Sequence, residues 1–212
     1  MEDYLKAIYR LSDGDESVST SKMAKQIGCA PASVTNMLQK LSSLRLVDYT
    51  PYRGVKLTPA GRDIALEIVR HHRLIELYLS QVLGYSWDKV HEEADRLEHV
   101  ISEEMEVKMD EALGYPETDP HGDPIPTVDG KIQAFLLSSL WETPAGEVVR
   151  VKRVSDRNPE VLRYLDEIGI HPQVRLKVTK RAPFNGPISI RLGDQAIEMG
   201  EELARQIFVE AT

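Results

Sequence analysis

Cysteine is almost absent from this chain of 212 residues, in which Cys29 is the single example. One thiol cannot form an internal disulfide, so the sequence is not that of a disulfide-stapled secreted domain and fits a reducing compartment. Long apolar runs are also lacking, because the longest, near residues 132–141, is far shorter than the roughly 18 residues that span a bilayer. The chain does not start with a basic segment followed by an apolar one. We therefore expect a soluble, cytoplasmic protein with no membrane partner.

Positive charge is also scarce, since 26 Lys and Arg residues face 34 Asp and Glu residues and the net charge is −8. A nucleic-acid partner is usually bound by a basic surface, because affinity comes from Lys and Arg that contact phosphates. The deficit of positive charge is unevenly distributed along the chain, however. Residues 1–62 contain 9 basic and 6 acidic side chains, a net of +3, whereas residues 85–130 contain 3 and 14, a net of −11. The two segments are expected to have different roles.

The mildly basic front has the pattern of a winged helix-turn-helix. Apolar residues at helical spacing predict a first helix over residues 2–11. Two short helices are predicted next, around a turn at Gly28, and the second of them begins at Pro31. Two β-like runs, over residues 46–50 and 55–58, then form a small hairpin. A helix pair followed by such a hairpin indicates a DNA-reading module.

In such a module the second helix of the pair enters the major groove of double-stranded DNA. Small and polar side chains on that helix meet base edges, while basic side chains beside it and on the hairpin contact phosphates. The residues expected to contact DNA are Lys22, Ala32, Ser33, Thr35, Asn36, Gln39, Lys40 and Arg53. Helix pairs with a polar face also occur in proteins that bind no DNA, but the hairpin and the local basic balance favour DNA.

The rest of the chain predicts two further parts. Long helices are expected over residues 60–82 and 87–113. Their large apolar faces need to be buried, and a second copy of the protein could cover them in a dimer. Residues 114–130, rich in Pro, Gly and Asp, predict a linker or an ordered loop. Short β-rich runs, interrupted by one helix near residues 159–168, then predict a small β-barrel. The expected fold class is mainly α with a C-terminal all-β domain.

The acidic middle combines many carboxylates with five of the six histidines, which lie between residues 71 and 121. At about 100° per residue, four of its side chains would share one face of a helix over residues 87–113. These four are His91, Asp95, Glu98 and His99. Imidazole and carboxylate together suit first-row divalent metals, and two facing helices can enclose an ion.

Two further pairs extend this pattern. His72 and Glu76 are one turn apart on the preceding helix, and Asp119 and His121 follow in the predicted loop. A His and a Glu four residues apart are more often a solvated helix face than a metal site. The concentration of histidines beside carboxylates nevertheless favours a metal site.

Six motifs occur in a fixed order along the chain: MEDYLKAIY, SVTNMLQKL, LVDYTPYRGVKLTPAG, HHRLIE, KVHEEADRLEH and DPHGDPIP. In this order they resemble the diphtheria toxin repressor family of iron- and manganese-dependent transcriptional repressors. The resemblance covers nearly the whole chain. It implies a winged helix-turn-helix domain over residues 1–62, a helical metal-binding and dimerisation domain over 63–130, and an SH3-like, FeoA-type domain over 131–212. It also implies a homodimer that binds operator DNA and controls genes of metal uptake and homeostasis.

The resemblance further implies two metal sites per subunit, for Mn²⁺ or Fe²⁺. The residues that match the site activating DNA binding are Asp3, Asp95, Glu98 and His99. Those that match the ancillary site are His72, Glu76 and His91, although His72 serves a neighbouring bridged pair of ions in the manganese regulators. Residues at positions that bind metal in some relatives are Asp119, His121 and Asp156.

Departures from the family pattern affect the choice of metal. Asp3 and Asp95 stand where iron-type members have Met and Cys, and hard oxygen ligands favour Mn²⁺ over Fe²⁺. Lys6 stands where one small manganese-regulator subgroup has a glutamate ligand, so the bridged pair of that subgroup is not expected. Arg153 replaces a carboxylate of some relatives, which weakens the case for a metal at the barrel.

The residues leave alternatives open. Carboxylates and His around two metals also activate water, which would make the protein a dinuclear metallohydrolase. A winged-helix repressor could instead respond to an organic ligand and leave the acidic face solvated. For the metal-dependent repressor, mutual repulsion of Asp3, Asp95 and Glu98 would loosen the first helix until an ion is bound.

Overall fold

The computed structural model of the chain describes residues 1–12, 16–133 and 135–212. Within this part of the chain, no helix is both long enough and apolar enough to cross a membrane. The chain divides into two compact units, and α4 contributes residues to each. Unit 1 comprises Met1–His72, Leu97–Ser102 and Pro126–Ile132, and unit 2 comprises Arg73–Arg96, Glu103–Ile125 and Gln133–Thr212.

Unit 1 opens with the predicted helix-turn-helix. Its helices are α1 (Glu2–Leu11), α2 (Thr20–Ile27) and α3 (Pro31–Ser43). The side chain of Ser19 caps α2 by accepting a hydrogen bond from the backbone N–H of Lys22 at 3.2 Å. Gly28 ends α2 with a φ of 71°, a left-handed conformation that glycine adopts without steric cost. Local capping residues therefore fix the turn that orients α3.

The wing follows α3 and completes one core. Strand β1 (Val47–Thr50) pairs antiparallel with β2 (Gly54–Leu57), as the two β-like runs predicted. Apolar side chains from the helices and the wing pack together. Among the buried ones are Leu5, Ile8, Met23, Val34, Leu38, Leu41, Val47 and Val55. Helix α1 therefore packs in the same core as α2 and α3.

Helix α4 (Pro59–Gln81) confirms the first predicted long helix, but the second is divided in two. Helix α5 spans Val90–Leu97, residues 98–102 form no helix, and α6 spans Glu103–Ala112. The prediction of one helix over residues 87–113 was therefore wrong.

The break has a local cause. Val100 and Ile101 are β-branched and lose side-chain freedom in a helix. Ser102 then precedes a turn with three glutamates, a pattern that favours a new helix N-terminus. As a consequence Glu98 and His99 lie in a turn after α5, and do not share a helical face with the residues of α5.

Unit 2 contains an antiparallel sheet with the strand order β3-β8-β4-β5-β6-β7. The strands are β3 (Ser138–Ser139), β4 (Val148–Val154), β5 (Arg175–Arg181), β6 (Ile188–Leu192), β7 (Gln195–Met199) and β8 (Ile207–Ala211). Helix α7 (Pro159–Glu167) buries Leu162 and Leu165 in the same core as the sheet, and a short α8 covers Glu201–Ala204. The mainly α fold with a C-terminal all-β part is confirmed.

Candidate metal centres

One cluster of potential ligands lies in unit 1, between α1 and the turn after α5. Oδ1 of Asp3 is 2.7 Å from Nε2 of His99, and Oε1 of Glu98 is 3.4 Å from the same nitrogen. One oxygen or nitrogen of each residue lies within 4.8 Å of the others. Two carboxylates and one imidazole at this spacing form a donor set that suits a first-row divalent cation.

The electrostatics of this cluster favour a positive charge at its centre. Oε2 of Glu2 lies 2.6 Å from Nδ1 of His99, on the other side of the ring. Burial by itself lowers the pKa of His99, but the hydrogen bond with Glu2 and the charges of Asp3 and Glu98 outweigh it and raise that pKa. Glu2 was not among the predicted site residues, and its one sequence signal is its position before Asp3 in the acidic first turn of α1.

Glu98 is only 1% exposed and also faces a second group in unit 1. Nζ of Lys6 lies 2.8 Å from its Oε1 and 2.6 Å from its Oε2. Nδ1 of His72 is 3.1 Å from the same ammonium and 2.5 Å from Oε2 of Glu98. His72, predicted for the ancillary site, therefore contacts Lys6 and Glu98 within unit 1.

Another cluster lies in unit 2 and is buried throughout. It brings Glu76 of α4 to the loop residues Asp119 and His121, with one ligand atom of each within 4.8 Å of the others. Nε2 of His121 is 2.9 Å from the backbone oxygen of Trp87. Since a carbonyl only accepts hydrogen bonds, Nε2 carries a proton, and the neutral ring has its lone pair on Nδ1.

That lone pair is unsatisfied. Nδ1 of His121 is buried without a hydrogen-bond partner among the residues that the structure describes, and it lies 3.9 Å from Oε2 of Glu76. Buried polar atoms are nearly always paired, so an orphaned nitrogen facing a carboxylate calls for a ligand. A backbone carbonyl that fixes the opposite nitrogen is also a common support for metal-binding histidines. The cluster therefore fits a cation.

The loop that carries Asp119 and His121 is shaped by local hydrogen bonds. Oδ1 of Asp119 accepts hydrogen bonds from the backbone N–H groups of His121 and Asp123, at 2.8 and 2.9 Å. Gly122 lies between them with a φ of 91°, and a Cβ there would be 1.9 Å from the backbone oxygen of Lys152. Only glycine fits this close approach to β4, so the loop depends on it.

Several carboxylates lie close together in and around this buried cluster. Burial raises the pKa of Asp119 well above its ordinary value, and the charges of Asp123 and Glu76 raise it further. Arg73 opposes the shift, with Nε 3.7 Å from Oδ2 of Asp119. A dication would offset this excess of negative charge, which is a second reason why the cluster fits a metal ion.

His91 adjoins the cluster through Glu76. Its Nδ1 is 3.0 Å from Oε1 of Glu76 and 4.0 Å from Oδ2 of Asp156, while its Nε2 is 3.7 Å from Oδ2 of Asp95. Burial lowers the pKa of His91, but hydrogen bonding to Glu76 and the nearby carboxylate charges outweigh burial and raise it. Asp95, predicted to join Asp3, thus belongs to unit 2, where it contacts His91.

The residues predicted to contact DNA lie on the surface of unit 1. Those with exposed side chains are Lys22, Ala32, Ser33, Asn36, Gln39, Lys40 and Arg53. Thr35 is half-buried and donates a hydrogen bond to the backbone oxygen of Pro31 at 3.0 Å. Tyr52, which sequence reasoning passed over, is fully exposed at the wing turn beside Arg53. In the described part of the chain, the side chains of α3 that would meet a DNA groove are therefore mostly exposed.

Comparison with known families covers nearly the whole chain. The iron dependent repressor N-terminal DNA binding domain matches residues 1–55. The iron dependent repressor metal binding and dimerisation domain matches residues 58–127, and the FeoA domain matches residues 139–211. The candidate ligand clusters of both units include residues of the segment 58–127.

Individual relatives agree. The diphtheria toxin repressor of Corynebacterium diphtheriae is 33% identical in an alignment of 219 positions, which covers 99% of this chain and 96% of the relative. The iron-dependent repressor of Mycobacterium leprae is 30% identical over 222 residues, with the same shares of each chain. A solved manganese-dependent transcriptional repressor in complex with manganese has a TM-score of 0.90 at 39% identity, covering 100% of this chain and 99% of that one.

These relatives are transcriptional repressors, so the metallohydrolase alternative finds no support. The order of the matched domains is also the order of the winged helix, the helical segment and the C-terminal sheet along this chain. The chain belongs to the iron-dependent repressor family, whose members are metal-dependent, DNA-binding transcriptional repressors and not enzymes.

Proposed function

We propose that this protein is a Mn²⁺-activated repressor that binds operator DNA as a cytoplasmic homodimer and controls genes of metal uptake and homeostasis. The observation that carries the proposal is the 2.7 Å contact between Asp3 and His99. Asp3 is on α1, which shares its core with the recognition helix α3. A group that fixes Asp3 therefore fixes the surface that reads DNA.

The first proposed site consists of Asp3, Glu98 and His99. When bound, a divalent cation supplies positive charge between two carboxylates that otherwise repel each other. Glu98 comes from the buried side of the site and Asp3 from the exposed side, so the three residues tie α1 to the turn after α5. Oxygen and imidazole donors favour Mn²⁺ over metals that prefer sulfur. Asp95, which the resemblance assigns to this site, contacts His91 in unit 2, and its role as a further ligand stays a prediction.

The second proposed site consists of Glu76, Asp119 and His121. Trp87 keeps the proton of His121 on Nε2 and so presents the Nδ1 lone pair. His91 contacts both Glu76 and Asp156, and His91 and Asp156 would stabilise the position of Glu76 or complete the ligand set. This assignment gives two sites per subunit. The proposed domains remain residues 1–62, 63–130 and 131–212.

The homodimer gives the recognition surface its spacing. Two copies of α3 must enter major grooves about one helical turn of DNA apart, roughly 34 Å or a multiple of it. Each α3 would present Asn36 and Gln39 to base edges, because amide side chains form paired hydrogen bonds with adenine. Lys22, Lys40 and Arg53 would contact phosphates beside the groove.

The direct test uses an operator selected from random DNA duplexes by the Mn²⁺-loaded protein. Binding is followed by fluorescence anisotropy with Mn²⁺, with Fe²⁺ under anaerobic conditions, with Zn²⁺, and with a chelator. We expect tight binding with Mn²⁺ and loss of binding with the chelator. Binding that ignores the chelator would contradict the proposal and support the organic-ligand alternative.

A further inference from the structure

The outward face of the C-terminal sheet carries two pairs of like charges. Arg150 of β4 lies directly opposite Arg175 of β5, and Lys177 of β5 lies directly opposite Arg191 of β6. Leu176, between Arg175 and Lys177, is buried in the core, so the four cations project from the other side of the sheet. Like charges directly opposite each other destabilise a pair of strands. We call these four residues the basic sheet face.

The charges of the basic sheet face are not neutralised within the described part of the chain, where none of the four side chains forms an ion pair. Glu210 of β8 is opposite Arg150, but its carboxylate is paired with Nζ of Lys152 at 3.6 Å. Nε of Arg150 is buried without a hydrogen-bond partner among the described residues. The other pair is flanked by the uncharged Val148 of β4 and Ala196 of β7. An anion from outside the chain would relieve this repulsion.

The shape and spacing of the basic sheet face fit a polyanion. Its Cα atoms lie within about 10 Å across the strands and about 7 Å along them. A small anion is usually held in a concave site, whereas these side chains project from the face of a sheet. Double-stranded DNA carries one negative charge per roughly 1.7 Å of its axis, which matches a dense group of cations. Three of the four cations are arginines, whose planar guanidinium fits the geometry of a phosphate.

The acidic segment of a second copy, residues 85–130, is the other source of negative charge. Several of its carboxylates already pair with basic side chains of their own chain, among them Asp88 with Arg163, Glu93 with Arg96 and Glu111 with Lys108. The phosphates of DNA have no such internal partners, and the chain belongs to a family of DNA-binding repressors. Charge complementarity therefore favours DNA over a second copy.

We propose that the basic sheet face binds the phosphate backbone of double-stranded DNA, independently of base sequence, as a second DNA contact besides α3. Such a contact offsets part of the repulsion between DNA and a chain with a net charge of −8. The basic sheet face includes none of the proposed metal ligands. The inference is therefore independent of which ion the protein binds and of where it binds.

The test measures the affinity of the full chain for a duplex of unrelated sequence, by fluorescence anisotropy over a range of salt concentrations. The double variant Lys177→Gln with Arg191→Gln removes two cations of the basic sheet face. We expect the slope of log affinity against log salt concentration to become shallower by about two, and the affinity at about 0.1 M salt to fall roughly 10- to 100-fold. Arg157→Gln with Arg205→Gln, which removes two exposed cations outside the strands, should keep the wild-type slope.

A single variant covers the case in which the double variant does not fold, as judged by circular dichroism. Lys177→Glu places a negative charge opposite Arg191, so it should keep or raise the midpoint of thermal unfolding. It should nevertheless weaken binding to the unrelated duplex. A stable Lys177→Glu variant with wild-type affinity would overturn the proposal.

Protection of a lysine from acetylation reports contact directly. In the wild type, DNA should protect Lys177 from acetylation, as measured by mass spectrometry. Lys89, which is exposed in the same unit, should remain reactive. The same reactivity of Lys177 with and without DNA would contradict a contact between the basic sheet face and DNA.

The remaining outcomes separate this inference from the other proposals. Sedimentation without DNA shows whether the double variant loses a self-association of the wild type. If it does, and the salt slope with DNA is unchanged, the basic sheet face is an interface between copies and the proposal is wrong. The anisotropy measurements are made with Mn²⁺ and with a chelator, and we expect the same change of slope in both. Operator binding that ignores the chelator would contradict the proposed function and leave this inference intact.

Discussion

The backbone carbonyl of Trp87 accepts a hydrogen bond of 2.9 Å from Nε2 of His121 and so determines which ring nitrogen carries the proton. The two rings also stack, with centroids 5.6 Å apart and 21° between their planes. An ion on Nδ1 of His121 would therefore lie next to an indole ring. Trp87 is placed to report on the second proposed site.

This relationship predicts an optical signal. The chain has two tryptophans, so Trp141→Phe leaves Trp87 as the single indole. Because Mn²⁺ is paramagnetic, we expect it to quench Trp87 fluorescence in this background. His121→Gln should abolish the quenching, and Asp3→Asn, a change at the other proposed site, should leave it intact. Unchanged quenching in the His121 variant would rule out His121 as a ligand.

Because the pKa of His99 is raised, we expect rising pH to lower the stability of the ion-free protein and to increase its affinity for Mn²⁺. In the ion-free protein, the paired His99 contributes stability that is fully present below its unfolded pKa of about 6.5 and is lost as pH rises through the higher folded pKa. Mn²⁺ competes with that proton, so its affinity should increase with pH over the same range.

Thermal unfolding measures the first effect and calorimetric titration the second, each from about pH 5.5 to 8.5. The ion-free difference in stability between the wild type and His99→Asn should shrink as pH rises. A difference that stayed constant or grew would show that the carboxylates around His99 do not favour its protonated form.

Gly122 predicts a steric effect on stability. Gly122→Ala places a Cβ 1.9 Å from the backbone oxygen of Lys152, in addition to the strain of a φ of 91°. Gly146 has a φ of 99° but open space around its Cβ position, which makes Gly146→Ala the matched control. We expect a cost of about 1–3 kcal/mol for Gly146→Ala and of roughly 4 kcal/mol or more for Gly122→Ala, measured by denaturant unfolding. Equal destabilisation by the two substitutions would mean that the loop can shift away from β4 at little cost and that the close contact at Gly122 is not required.

If α3 contacts DNA as proposed, substitutions of two of its exposed residues should affect DNA binding in different ways. Asn36→Ala should cost about 1–3 kcal/mol with the selected operator and reduce discrimination at one base pair. Lys40→Ala should weaken binding to all sequences alike. It should also reduce the slope of log affinity against log salt concentration by about one. Anisotropy titrations over a range of salt concentrations distinguish the two. The same salt slope and the same specificity in both variants would contradict the assignment.

The features predictable from sequence are those with local causes. Ser19, Gly28 and Pro31 act within one turn of their own helix, so the helix-turn-helix was predicted with nearly correct bounds. The family resemblance also placed Asp3, Asp95, Glu98 and His99 in one candidate set, and the structure brings Asp3, Glu98 and His99 together.

The rest depends on contacts between distant segments. The contact of Lys6 with Glu98 joins positions 92 residues apart, and no periodicity shows that a lysine reaches a buried carboxylate. The tautomer of His121 depends on a backbone carbonyl, which every residue has and no side-chain pattern reveals. The break after Leu97 was missed because charge periodicity continued across it, although Ser102 and the following glutamates were the local signal.

The most direct test of metal-controlled DNA binding is a thermodynamic cycle on Asp3. Mn²⁺ affinity is measured with and without the operator, and operator affinity with and without Mn²⁺, for the wild type, for Asp3→Asn and for the exposed control Asp63→Asn. Linkage requires the two ratios to be equal, and we expect about 5- to 150-fold for the wild type and the control. For Asp3→Asn we predict a ratio near one with the dimer still folded. A full wild-type ratio in Asp3→Asn would contradict the proposal that an ion held by Asp3, Glu98 and His99 controls the recognition helix.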